Sequence, residues 1–105
     1  MSGRIVALSS VGSAEDAERI ARALVERRLA ACVNVVPGVV SHYRWQGQLC
    51  RDEERLLVIK TRTECLGALR SALAELHPYE VPELVALEIT AGLEPYLAWL
   101  DESTS

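Results

Sequence analysis

The chain has 105 residues, half of them apolar and a quarter charged, enough for one small domain over 1–105 and too few for two. A net charge of −4 and a pI near 5.1 argue against nucleic-acid binding, whose usual footprint is a basic face. Only six Gly and four Pro argue against disorder, and no apolar run approaches the ~20 residues that cross a bilayer. Arg4 precedes just four apolar residues, too few for a secretory core, so the expected location is the cytoplasm.

Arg4 to Leu8 is a short apolar run suited to a buried strand, and residues 9–12 follow as a loop. Ser13 is placed to cap a helix, with Asp16 three residues on. Ala17, Ile20, Ala21, Leu24 and Val25 then repeat at helical spacing along one face. From Ala31 to Trp45 the β-formers Cys32, Val33, Val35, Val36, Val39, Val40, Tyr43 and Trp45 predict a strand, bent or bulged at Pro37-Gly38. Gln46-Gly47 turns the chain into a second strand over Arg55 to Lys60. Fifteen extended residues would reach about 50 Å at ~3.3 Å each. Such a strand either bends or projects as a hairpin that pairs with another subunit, and covering an exposed edge favours an oligomer.

Thr63 is placed to cap a second helix with Leu66, Leu69, Leu73 and Leu76 on its core face, ended by Pro78. Glu83 to Thr90 reads as a fourth strand, and Pro95 starts a terminal helix carrying Tyr96, Leu97, Trp99 and Leu100. The order β-α-β-β-α-β plus a helix predicts an α+β, ferredoxin-like domain with an antiparallel sheet.

The chemistry is sparse. His77 sits where the second helix meets the turn His77-Pro78-Tyr79-Glu80, with Glu80 near in sequence. Imidazole with carboxylate suits copper or zinc, while a histidine in such a turn equally serves as a structural group. Cys32 is either a small buried hydrophobe or a soft-metal ligand whose partners come from elsewhere in the fold. Cys32, Cys50 and Cys65 form no C-x-x-C pair, so neither a disulfide framework nor a zinc knuckle is expected. His42 reads as a surface or interface residue, and Asp52-Glu53-Glu54 as solvated charge. No G-x-S-x-G, P-loop or H-E-x-x-H is present, and a non-enzymatic protein is expected.

Several segments together carry a resemblance: Leu29-Ala30-Ala31-Cys32-Val33-Asn34, Pro37-Gly38, Tyr43-Arg44-Trp45-Gln46-Gly47, Lys60-Thr61, His77-Pro78-Tyr79-Glu80-Val81-Pro82-Glu83 and Tyr96-Leu97-Ala98-Trp99-Leu100. The chain resembles the CutA family of divalent-cation tolerance proteins over nearly its whole length. That resemblance implies a cytosolic homotrimer packed through long hairpin strands, and tolerance to copper and other divalent cations, with copper bound by bacterial members. Some bacterial members carry a histidine where this chain has Leu76 and a cysteine where it has Ser9, which implies weaker soft-metal binding here. The metal set is then His77 with Glu80 or Cys32. The alternative is a trimeric small-ligand sensor resembling the PII signalling proteins, with Tyr43, Trp45, Tyr79 and Glu80 lining a cleft between subunits.

Overall fold

A computed structural model describes residues 3–105. β1 (Arg4–Val11) alternates half-buried and buried side chains, which sets Ile5, Ala7, Ser9 and Val11 toward the helices. α1 (Ala14–Glu26) begins at Ser13, whose hydroxyl accepts from the Asp16 amide at 3.1 Å. β2 (Cys32–Trp45) and β3 (Gln48–Arg62) form a long hairpin. A single turn of 3₁₀ helix (Thr63–Cys65) leads into α2 (Leu66–Leu76), followed by β4 (Val85–Glu88) and α3 (Glu94–Ser103). The sheet runs β2-β3-β1-β4, antiparallel throughout, giving the β-α-β-β-α-β order with a final helix. Ile20 and Leu24 of α1 and Leu69 and Leu73 of α2 pack on Ala7, Val11, Leu57 and Ile59 of the central strands.

The hairpin projects. From Val39 onward β2 pairs only with β3, from Val39↔Glu54 to Trp45↔Gln48, and the molecule measures 44 Å along one axis against 25 and 24 Å. A register shift between Val36 and Val39 marks a bulge at Pro37-Gly38, where Gly38 has φ +73°. At the tip Gln46 and Gly47 are both left-handed, with φ 49° and 80°, as a two-residue hairpin turn that follows strand twist requires. Val35, Val36, Val40, Tyr43 and Trp45 are exposed along this ribbon, and Val85 and Leu87 on β4.

Four boundaries differ from the sequence reading. β1 runs on through Ser9 and Ser10 to Val11, because Leu57, Leu56 and Arg55 of β3 supply backbone partners that outweigh the turn preference of serine. β3 begins at Gln48, since a projecting ribbon is held by cross-strand bonds and needs no apolar alternation. β4 shrinks to Val85–Glu88, because the segment after α2 occupies the edge of β1 beside Ser10. Thr63 is not a side-chain cap, as a 3₁₀ turn intervenes before α2. Among the described residues no helix is long and apolar enough to cross a membrane.

Candidate ligand-binding site

His77 anchors the segment that follows α2. Pro78 forces it into extended backbone, with φ −80° and ψ 136°, and its ring is buried at 6% exposure. The Tyr79 amide donates to Nδ1 at 3.2 Å, so Nε2 carries the proton and donates to the Ser10 carbonyl at 2.8 Å. Both ring nitrogens are thus spent on backbone groups. The Tyr79 ring meets the imidazole edge-on at 4.7 Å.

From that anchor Tyr79 reaches past the end of β1. Its hydroxyl donates to Glu54 Oε2 at 2.5 Å, and Glu54 is only 6% exposed. Gly12 permits the crossing, because a Cβ there would stand 3.1 Å from the Tyr79 hydroxyl. Arg55, next along β3, donates to the Gly12 carbonyl at 2.8 Å and fixes the same corner. On the ribbon Tyr43 donates to Asp52, while Ser10 donates to Glu83 at 2.9 Å.

These groups line a cavity of about 690 Å³ along the ribbon, reached by Tyr43, Trp45, Asp52, Glu54, Tyr79 and Glu80, with Ser10, Ser41, His42, Val81 and Glu83 completing the lining. Hydrogen bonding to Asp52, then desolvation, pushes the Tyr43 phenol up to about 12. Burial, then the Glu54 bond, raises that of Tyr79. Both tyrosines therefore stay protonated donors at neutral pH.

All four residues read as a cleft, Tyr43, Trp45, Tyr79 and Glu80, line this one cavity. The metal set is more scattered. His77 turns to β1, Glu80 to the cavity, and Cys32 pairs with Lys60 toward the other end of the sheet, its thiol 3.9 Å from Asn34 Oδ1. Among the described residues no three His, Cys, Asp or Glu side chains are grouped to hold a metal ion. Sequence reasoning missed Asp52, Glu54 and Glu83. The first two belong to a run that looks solvated, yet their two-residue spacing sets both on one side of a strand once β3 is extended.

The family model for "CutA1 divalent ion tolerance protein" matches residues 5–103. The chain belongs to the CutA1 family. Divalent-cation tolerance protein CutA of Thermus thermophilus is 54% identical over 99 residues, which are 94% of this chain and 96% of that one. The solved Thermus CutA1 structure superposes with a TM-score of 0.94 at 53% identity, covering 97% of this chain and 99% of that one. The PII-like protein CutA of Nostoc, in its apo form, gives 0.89 at 40% identity, covering 96% and 97%. The chloroplastic CutA of Arabidopsis is 45% identical over 95% of this chain, which spans only 55% of that relative's length.

Proposed function

We propose that this CutA1-family protein is a cytoplasmic homotrimer that takes a small organic ligand into the cavity along its ribbon, and catalyses no reaction. The observation that carries the reading is convergence: residues of the ribbon, of the end of β1 and of the segment after α2 meet around one space of about 690 Å³. Its size and aromatic lining suit a small molecule, for which pockets run roughly 300–1,000 Å³. The PII-like description of the Nostoc relative supports a sensing role. In this reading divalent-cation tolerance is an indirect consequence of ligand binding.

Self-association is supported by the apolar side chains left open on β2 and β4. A neighbouring subunit seated on the ribbon would close the open side of the cavity. Native mass spectrometry tests the assembly: a species of three 11.5 kDa chains is expected, and a monomer at micromolar concentration would overturn it.

The family's description favours a second reading, weak binding of copper or another divalent ion through His77 with Glu80 or Cys32. Here His77 would release the Ser10 carbonyl or the Tyr79 amide, and a neighbouring subunit would complete the ligand set. Three copper ions per trimer, lost in His77→Ala, would establish it. Uptake unchanged in His77→Ala would end it.

A further inference from the structure

We propose that the occupant of the cavity is an organic cation, a small amine or polyamine, and neither an anionic metabolite nor a bare metal ion. This rests on the reading of the cavity as the ligand site and adds the charge of what enters it.

The lining is one-sided. Asp52, Glu54, Glu80 and Glu83 contribute to it, and among the described residues neither Lys nor Arg does, although the whole chain carries 11 Lys and Arg against 15 Asp and Glu. The partners of three of these carboxylates are neutral: Tyr43 on Asp52, Tyr79 on Glu54 and Ser10 on Glu83. A neutral donor orients a carboxylate without cancelling its charge, so the negative potential survives inside the cavity.

The aromatic walls favour the same ligand for a separate reason. Tyr43, Trp45 and Tyr79 present π faces whose quadrupole attracts ammonium groups. Within one subunit an anion such as a nucleotide would meet four carboxylates and, among the described lining residues, no Lys or Arg, a repulsion that selects against it.

Geometry separates an organic cation from a metal. A hard cation such as calcium needs six or more oxygens converging at roughly 2.3–2.6 Å. Among the described residues no group of three His, Cys, Asp or Glu does so, and the carboxylates are spread around a space far larger than an ion. Positive charge carried on a carbon skeleton can reach several dispersed carboxylates and cover the rings with its methylenes.

The test is isothermal titration calorimetry on the full chain at physiological salt, with the Trp45 indole resonance followed by NMR. The probes are spermidine, agmatine, choline, ATP, citrate and Mg²⁺. At least one amine is expected to bind saturably and move the Trp45 resonance. Glu80→Gln should weaken it about tenfold, the scale of one lost charge-assisted contact. Asp52→Asn provides a second variant in the same direction, while Glu18→Gln, on the exposed face of α1, should leave affinity unchanged. Equal weakening by Glu18→Gln would reduce the effect to diffuse attraction by an acidic protein and overturn the proposal. ATP or citrate moving Trp45 while the amines do not would overturn the cationic ligand and leave the cavity as the ligand site. Saturable Mg²⁺ binding lost in Glu80→Gln, without amine binding, would overturn it in favour of a metal. No probe moving Trp45 would overturn both the cation and the reading of the cavity beneath it.

Discussion

The Tyr79 hydroxyl and Glu54 meet at 2.5 Å across the end of β1, tying the segment after α2 to the strand that leads into the ribbon. Both residues line the cavity, and the bond holds a buried carboxylate against the phenol. Gly12 leaves room for the phenol to pass, since a Cβ there would stand 3.1 Å from the hydroxyl.

Tyr79→Phe removes the donor and strands a buried carboxylate. The expected loss is roughly 1–3 kcal/mol, the usual cost of an unsatisfied buried polar group. Urea unfolding at fixed protein concentration measures it, and an additional Glu54→Gln exchange should recover part of the loss by removing the buried charge. A Tyr79→Phe midpoint equal to that of the wild type would show that the bond contributes nothing.

His77→Ala should destabilise by about 2–4 kcal/mol, because two backbone groups, the Ser10 carbonyl and the Tyr79 amide, lose their partners together. Amide exchange at Tyr79 should accelerate in the same variant. An intact midpoint would mean that the imidazole is not the anchor of this segment.

The alkaline limb of the stability curve carries the tyrosine effect. In the unfolded chain Tyr43 ionises near 10, whereas in the folded protein its bond to Asp52 holds the proton up to about 12. Between those values the folded state binds more protons, so this contribution is complete below pH 10 and is lost as pH rises toward 12. The stability gap between wild type and Tyr43→Phe should therefore narrow over that window. A gap that widens there would contradict the sign.

At the ribbon tip Gln46 holds φ 49° without the tolerance of asparagine for left-handed backbone. Gln46→Asn should raise stability by about 0.5 kcal/mol, and Gly47→Ala should lower it by about 1 kcal/mol. Thermal unfolding of the two variants should shift in opposite directions.

The fold was legible where periodicity is strong. Ile20 and Leu24 at helical spacing marked α1, and Pro37-Gly38 marked the bulge in β2. The ends of β1 and β3 were not, because they depend on pairing between distant segments: Ser10 is a strand residue only because Leu56 lies opposite. The cavity was half legible. Tyr43, Trp45, Tyr79 and Glu80 stood out as motif residues, but Asp52 and Glu54 resembled surface charge, and their role follows only from a strand that no apolar pattern announces. His77 has the residue type and setting of a metal ligand, and nothing local in the sequence shows that β1 and its own turn occupy both nitrogens.

Whether the cavity holds an organic ligand is decided by a thermal-shift series comparing a metabolite library with Cu²⁺. Ligand that binds the folded state raises the unfolding midpoint with its concentration. At least one organic molecule is expected to do so in the wild type and to fail in Glu80→Gln. A midpoint raised by Cu²⁺ alone, lost in His77→Ala and unchanged in Glu80→Gln, would contradict it.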